Sequence, residues 1–215
     1  VGIVGPVGCG KTTLVSLLPR MYQPPRGHVF IDDVDVNDWD LRSLRHQIGF
    51  ATQEAFLFSD SLANNIRFGE PDATLERVKA AAETAALAKD VSLFPYGYET
   101  MVGERGITLS GGQKQRTAMA RALLIEPSIV VLDDATSAVD TETEDQINER
   151  IKTVRGSTTI IISHRVSSIR EADIIVYLED GRIVESGNHH ELVALDGRYA
   201  ELYRSQLLAM ELEKM

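Results

Sequence analysis

The segment GPVGCGKT, residues 5–12, constrains the fold of this chain more than any other stretch. It follows the apolar run VGIV and precedes the apolar stretch LVSLLPRM, so the local pattern is a strand, a glycine-rich turn and a helix. Glycines let consecutive backbone amides point inward and form an anion-binding nest at a helix N-terminus. A chance match in an unrelated loop is the alternative, and the placement between a strand and a helix argues against it.

This segment therefore predicts a site for the phosphates of a nucleotide. In such a loop Lys11 bridges the β- and γ-phosphates, and Thr12 offers its hydroxyl to Mg²⁺. The predicted nucleotide-binding residues are Gly5, Pro6, Val7, Gly8, Cys9, Gly10, Lys11, Thr12 and Thr13.

A second motif is the apolar run SIVVLD, which ends at Asp133. A carboxylate at the C-terminal end of a buried strand is well placed to hold magnesium, usually through water. An aspartate that merely ends a strand is common, but the phosphate loop in the same chain disfavours that alternative.

The third motif is LSGGQ, residues 109–113, within the longer stretch LSGGQKQR. Ser110 opens a predicted helix whose first turn carries Gly111 and Gly112, so free amides and a hydroxyl face outward as a second anion site. The alternative is a serine N-cap before a glycine-softened helix. It accounts for the serine but not for two glycines in the first turn.

Apolar, β-branched runs alternate with helical stretches over most of the chain. This alternation predicts an α/β fold with a mostly parallel sheet and right-handed crossovers. From about residue 61 to residue 124 the pattern is instead helical, with an alanine-rich stretch at residues 75–89. We therefore predict a core of residues 1–52 and 128–215, interrupted by a helical subdomain of residues 53–127 that carries LSGGQ.

Three local predictions complete the pattern. HVFID, residues 28–32, is predicted to form a strand, and EDGRIVESG is predicted to form a β-hairpin that turns at Asp180 and Gly181. The C-terminal residues 199–214 are predicted to form an amphipathic helix.

Charge and composition narrow the classes of partner. The formal net charge of −10, without a basic patch, argues against binding a nucleic-acid backbone. The single cysteine, Cys9, excludes an internal disulfide and favours a reducing compartment. No apolar run approaches the roughly 18 residues that cross a bilayer. The chain starts with Val1 inside a strand, so we expect a fragment whose N-terminal strands are missing.

In the chain LSGGQ lies between the phosphate loop and SIVVLD, and with this arrangement the sequence resembles the nucleotide-binding domain of an ATP-binding-cassette (ABC) transporter, most closely the exporter type, over nearly its whole length. The resemblance implies a P-loop NTPase (RecA-like) core that binds ATP and Mg²⁺ and hydrolyses ATP to drive export. It also implies a head-to-tail dimer with a second nucleotide-binding domain, of like or unlike chain. In that dimer the partner's ATP is bound by the signature residues Leu109, Ser110, Gly111, Gly112 and Gln113.

The resemblance further implies that transmembrane domains of an exporter tether the chain to the cytoplasmic face of a cell membrane. TMVGERG, residues 100–106, resembles the segment that contacts coupling helices of those domains, with Glu104 and Arg105 as the contact residues. A surface loop with an ion pair is the alternative. The aromatic residue on which the family stacks adenine lies upstream of the phosphate loop, in a segment missing here, so we expect reduced ATP affinity.

Single residues take further roles from the resemblance; by themselves they would be ordinary polar loop residues. Gln53 matches the Q-loop glutamine, so the expected metal ligands are Thr12, Gln53 and Asp133. His164 matches the switch histidine that contacts the γ-phosphate, and Asp140 in SAVD matches the D-loop aspartate at the dimer seam. The expected catalytic residues are Asp134, His164, Gln53 and Lys11.

Asp134 departs from the family, which usually has a catalytic glutamate at this position. Aspartate is one methylene shorter, about 1.5 Å of lost reach for a general base, and a misplacement of this size can cost on the order of a hundredfold in rate. The backbone or a water could compensate, so that Asp134 still serves as the base. Alternatively, this is the slow, ATP-retaining site of a heterodimeric exporter, whose signature serves the partner's active site.

Two other functions stay open. An ATP-binding clamp with little hydrolysis of its own is supported by Asp134 alone. A soluble ABC ATPase that acts on nucleic acid or ribosomes would need a basic face or a charged insert, and the sequence has neither.

Overall fold

The structure is a computed structural model, and it describes residues 1–103, 107–152 and 156–212. The strands are β1 (Gly2–Val4), β2 (Phe30–Ile31), β3 (Val34–Asp35), β4 (Ile48–Ala51), β5 (Ile129–Asp133), β6 (Thr158–Ile162), β7 (Ile175–Glu179) and β8 (Arg182–Gly187). The helices are α1 (Lys11–Ser16), α2 (Leu41–His46), α3 (Leu62–Ile66), α4 (Leu75–Thr84), α5 (Ala88–Val91), α6 (Gly111–Leu124), α7 (Thr141–Lys152), α8 (Val166–Ile169), α9 (His189–Ala194) and α10 (Arg198–Leu212).

The main sheet has the strand order β4-β5-β6-β1-β7-β8 within the described residues. In this order, each strand from β4 through β5, β6 and β1 to β7 pairs in parallel with its neighbour, and β8 runs antiparallel to β7. Gly2 lies opposite both Ile161 and Ile175, so β1 is a central strand, and its residues are buried. Because the parallel strands share one direction, the loops after β1, β4, β5 and β6 meet at one edge of the sheet.

The predicted hairpin at residues 179–187 and the predicted strand at residues 28–32 differ in outcome. The β7–β8 hairpin turns at Asp180 and Gly181 as predicted, with φ of 48° and 73°, the backbone of a tight primed turn. The strand predicted at residues 28–32 shortens to β2, which pairs with β3 in a small separate sheet. The reason lies in Asp32 and Asp33, whose φ values of 49° and 63° turn the chain back immediately.

The alanine-rich stretch predicted as helix at residues 75–89 breaks into α4 and α5. Ala86 has a φ of 54° and donates to the carbonyl of Glu83, while Leu87 donates to the carbonyl of Ala82 at 2.8 Å. This is the pairing of a Schellman cap, which ends a helix, and the side chain of Leu87 is fully buried behind it.

Helices α3 to α6 occupy the chain between β4 and β5, and their apolar faces form the largest cluster of buried residues. Two smaller clusters surround the sheet, one with α1 and α2 and one with α8, α9 and α10. The division into a core of residues 1–52 and 128–215 and a helical subdomain of residues 53–127 stays a prediction. Among the described helices, none combines the length and the apolar character that crossing a bilayer requires.

Candidate functional site

The phosphate loop joins β1 to α1 at the centre of the sheet edge. Gly5 is required by packing, because a Cβ there would lie 2.0 Å from the carbonyl oxygen of Leu178 in β7. Gly10 precedes α1 with a φ of 102° and carries no side chain that could cap the helix. The amides of the first turn of α1 are thus directed into the loop, as anion binding requires.

Lys11 is buried inside this loop. Its Nζ atom donates to the carbonyls of Gly5 and Pro6, each at 2.8 Å, and lies 3.8 Å from the Sγ atom of Cys9. The ammonium group is therefore held among the loop's own carbonyls, in the middle of the predicted phosphate site.

A cleft of about 240 Å³ lies above the loop. Asp133 ends β5 beneath it and is only 3% exposed. Burial raises the pKa of Asp133 above its usual value, while the Thr12 hydroxyl acts in the opposite direction. The cleft is lined by Val7, Gly8, Gly10, Lys11, Thr12, Thr13, Gln53, Asp133, Asp134 and His164.

The oxygen donors of Thr12, Gln53 and Asp133 therefore meet in one cleft, and oxygen ligands suit Mg²⁺. No group of three or more His, Cys, Asp and Glu side chains arranged for a metal ion occurs in the described part of the chain. A magnesium ion here would therefore depend on phosphate oxygens for the rest of its ligands.

Asp134 and His164 form a close pair at the same edge. The Oδ2 atom of Asp134 lies 3.0 Å from Nε2 of His164, and the backbone amide of His164 donates to Oδ1 at 3.3 Å. Asp134 itself has a φ of 47°, which aspartate tolerates better than most residues. Its side chain is only 7% exposed, and both of its carboxylate oxygens contact His164.

A residue that the sequence did not single out, Gln115 of α6, joins three parts of this edge. Its Nε2 atom donates to the hydroxyl of Ser137 at 2.8 Å, and its Oε1 atom accepts from the amide of Ala138 at 2.9 Å. Longer contacts reach the carbonyls of Gln53 and Asp134. Gln115 is buried, 6% exposed, and neither this burial nor these contacts are visible in the sequence.

The LSGGQ segment lies apart from this cleft. Ser110 is an exposed N-cap of α6 and forms a capping box: its Oγ atom accepts from the amide of Gln113, and its own amide donates to Oε1 of Gln113. Gln113 also donates to Oδ1 of Asp90 at 2.9 Å. Leu109 is buried, and Gly111 is exposed at the first turn. Ser110 therefore caps α6, and the first turn of this helix is exposed, while the role of LSGGQ as an anion site stays a prediction.

Asp140 caps the next helix. Its Oδ1 atom accepts from the backbone amide of Thr143 at 2.9 Å, and this hydrogen bond lowers the pKa of Asp140. The residue is exposed and contacts neither the cleft nor His164 in its own chain.

Comparison with known proteins now identifies the family. The family model described as "ABC transporter" matches residues 1–137. The chain belongs to the ABC transporter family. This confirms the resemblance, and with it the α/β fold of a P-loop NTPase and an ATP-binding domain of an ATPase family.

Similar proteins include members of known description. The chain is 47% identical to an ATP-dependent lipid A-core flippase of Chromohalobacter salexigens over 98% of its length and 37% of the flippase. It is 47% identical to the putative multidrug export ATP-binding/permease protein YgaD of Bacillus subtilis over 97% of its length and 36% of that protein. A solved structure of a bacterial Atm1-family ABC exporter with ATP bound matches 95% of the chain and 36% of the exporter, with 44% identity and a TM-score of 0.90. The chain thus spans little more than a third of these ABC proteins.

The predicted site residues of this ABC domain divide into three groups. Most of the phosphate loop (Val7, Gly8 and residues 10–13) lines one cleft with Gln53, Asp133, Asp134 and His164, whereas Gly5, Pro6 and Cys9 do not line it. LSGGQ and Asp140 lie outside it. Glu104 and Arg105 lie outside the described residues, so their coupling role stays a prediction.

An exposed aromatic surface escaped the sequence analysis. The rings of Phe58 and Phe68 stack with centroids 4.6 Å apart, and Phe56 meets Phe58 edge to face at 5.1 Å. The guanidinium of Arg121 lies over both Phe58 and Phe68, at 5.7 and 5.5 Å. Phe56 and Phe68 are 68% and 59% exposed. The run Phe56-Leu57-Phe58 in a segment without strand or helix pattern is the signal that points to it.

Proposed function

We propose that this chain is the ATP-binding and ATP-hydrolysing motor domain of an ABC exporter, which drives transmembrane export by ATP-dependent head-to-tail dimerisation. The observation that carries the proposal is the separation of two anion-binding elements: a complete phosphate cleft at the sheet edge, and an exposed signature helix N-terminus that does not reach it. A signature that lies outside its own cleft is available to the ATP of a second domain.

The phosphate loop holds the nucleotide in this proposal. The amides at the start of α1 bind the β- and γ-phosphates, and Lys11 neutralises their charge from inside the loop. Thr12, Gln53 and Asp133 hold Mg²⁺ together with the phosphates. When bound, this ion neutralises charge that develops on the phosphate oxygens during transfer.

Hydrolysis transfers the terminal phosphoryl group to water and yields ADP and phosphate. Asp134 orients and deprotonates that water as the general base, and His164 holds the carboxylate through its Nε2 atom. Both carboxylate oxygens of Asp134 contact His164, at 3.0 and 3.3 Å. These contacts and the short reach of an aspartate both disfavour contact between Asp134 and the attacking water. We therefore propose slow turnover at this site, with an ATP-binding clamp as the second candidate.

The second domain, of like or unlike chain, supplies the opposite half of each site. Ser110 and Gly111 are exposed at the first turn of α6 and form the surface offered to the partner's γ-phosphate. Asp140 is exposed beside them and lies at the dimer seam.

The membrane-embedded part of the exporter is the second partner, and it tethers the domain at the cytoplasmic face of a cell membrane. Phe56, Phe58 and Phe68 form an aromatic surface next to the segment after Gln53, where a helix of that part docks. Glu104 and Arg105 belong to the same proposed contact. The net charge of −10 supports a function without nucleic acid.

The experiment that tests the proposal is steady-state MgATP turnover by the full-length natural protein, with Lys11→Ala as the blank. A rate above the blank is expected, together with a rise on the order of tenfold or more for Asp134→Glu, which restores the reach of the base. Turnover at the blank level with ATP still bound, and no gain in Asp134→Glu, would establish the clamp instead. Binding of DNA or RNA that weakens steeply with salt would favour the soluble nucleic-acid class.

A further inference from the structure

Glu144, in the first turn of α7, is a buried carboxylate outside the nucleotide cleft. It is 2% exposed. Its Oε1 atom accepts from the hydroxyls of Thr136 and Ser168, each at 2.6 Å, and its Oε2 atom accepts from Nη1 of Arg165 at 3.0 Å. A carboxylate is strongly disfavoured away from water unless donors satisfy it, and here each oxygen has its donor.

These donors come from two different segments of the sheet edge. Thr136 follows Asp134 by two residues in the segment after β5. Arg165 and Ser168 follow His164 in the segment after β6. A single side chain from α7 therefore ties together the two segments that carry the proposed base and the proposed switch histidine.

Arg165 extends this connection along the first segment. Its Nη2 atom donates to the carbonyl of Ser137 and its Nη1 atom to the carbonyl of Val139, both at 3.1 Å. The guanidinium is thus hydrogen bonded to the backbone that leads from Asp134 to Asp140. The Arg165 side chain is 40% exposed, and the buried carboxylate of Glu144 is its one ion-pair partner among the described residues.

The simplest alternative is that Glu144 only anchors α7 in the fold. Apolar contacts already do this, since Ile147 and Ile151 of the same helix are buried in the largest core cluster. Buried ion pairs stabilise a fold little compared with apolar side chains of similar volume. An anchor alone therefore does not account for a carboxylate whose donors all lie on the two catalytic segments.

We propose that Glu144 is a positioning residue: through Thr136, Ser168 and Arg165 it sets the spacing between Asp134 and His164. The inference rests on the proposed ATPase function and deepens it. A shift of about 1 Å between catalytic groups can cost on the order of a hundredfold in rate, so a side chain that sets this spacing acts on catalysis without touching the nucleotide.

The test is Glu144→Gln in the full-length natural protein, since the amide keeps the shape and one oxygen for the hydroxyls but loses the charge that orients Arg165. We expect kcat for MgATP to fall at least about tenfold while KM stays within about twofold. Arg165→Lys keeps the charge but loses the planar guanidinium with its two sets of donors, and its kcat should fall by a similar factor. The double variant should lie within about twofold of the slower single variant, because the two residues act as one unit.

Two matched controls lie on the same helix. Glu142→Gln changes an exposed carboxylate and should leave kcat unchanged. Ile147→Val weakens the packing of α7 without touching the network, and it should lower Tm with little change in kcat. Equal losses of kcat in Ile147→Val and Glu144→Gln at equal Tm would overturn the inference, and so would a wild-type kcat in Glu144→Gln.

Amide hydrogen exchange with MgATP present separates this inference from the proposed function. We expect faster exchange in Glu144→Gln at both residues 134–140 and residues 163–168, and unchanged rates there in Ile147→Val. If the wild-type protein does not turn over ATP, the proposed hydrolysis is wrong, and the exchange result alone decides whether Glu144 positions the two segments. Unchanged exchange in both segments would then refute the positioning role.

Discussion

Gly112 of the signature packs so closely against Ala138 that a Cβ at position 112 would lie 2.7 Å from the Ala138 carbonyl oxygen. The first turn of α6 therefore rests directly on the loop after β5. This contact supplies a packing reason for the second glycine of LSGGQ, in addition to any role in binding the partner's nucleotide.

This contact predicts that a glycine-to-alanine substitution, which usually stabilises a helix, is destabilising at position 112. Alanine normally stabilises a helix by about 1 kcal/mol relative to glycine, but Gly112→Ala should destabilise this one because backbone atoms must move apart. Thermal unfolding should show a lower Tm, and Gly111→Ala is the control, since its Cβ would meet only the Cβ of Ala138, at 3.2 Å. A higher Tm in Gly112→Ala would contradict the packing argument.

The burial of Asp133 leads us to predict that replacing it by asparagine increases the stability of the fold in a pH-dependent way. Burial raises its pKa in the folded state, so the folded chain binds the proton more tightly than the unfolded chain, and Asp133 lowers stability as the pH rises from the unfolded pKa through the folded pKa. Asp133→Asn should therefore raise the free energy of unfolding at pH 7, and the gain should vanish below the unfolded pKa of about 4. Denaturant titrations at about pH 3, below the unfolded pKa, and at pH 7 measure the difference.

The activity of the same variant provides the second readout. Asp133→Asn should lose Mg²⁺-dependent turnover while its fold becomes more stable, because the carboxylate serves the ion and not the core. A variant that is less stable at pH 7 would show that the Thr12 hydrogen bond outweighs the burial of the charge.

The burial of Tyr199 leads us to predict that the fold loses stability at alkaline pH. Its side chain is fully buried, its hydroxyl lies 2.8 Å from Nδ1 of His189, and burial raises its pKa to about 12. The unfolded chain releases this phenol proton near pH 10, so the free energy of unfolding should fall as pH rises from about 10 to 12. Tyr199→Phe should remove that part of the decline in denaturant titrations, and Tyr203→Phe on the same helix should keep it.

The aromatic surface predicts a contact in the full-length protein. We expect residues 56–68 to be protected from amide exchange when the natural protein is embedded in lipid, and Phe68→Ala should lose this protection while still binding ATP. Phe30→Ala, which removes a ring 52% exposed elsewhere, is the control. Free exchange of residues 56–68 in the wild-type protein would refute the docking surface.

Short-range patterns predicted much of the fold and part of the site. The phosphate loop, the strand that ends at Asp133 and the hairpin at Asp180 and Gly181 depend on residues only a few positions apart, so their spacing is readable in the chain. Predictions failed where a single backbone position decided the outcome. Ala86 adopts a left-handed conformation that alanine propensity does not favour, and Asp32 turns a predicted strand.

The sequence by itself determined the family and the α/β alternation of strands and helices, and it predicted which residues face a nucleotide. The tertiary structure alone decided that Asp134 meets His164, that Gln115 reaches Ala138 and that Glu144 binds Arg165. The partners in each pair are separated by 21 to 30 positions. They meet because parallel strands bring their carboxyl ends to one edge of the sheet, and that convergence exists only after the strands have paired.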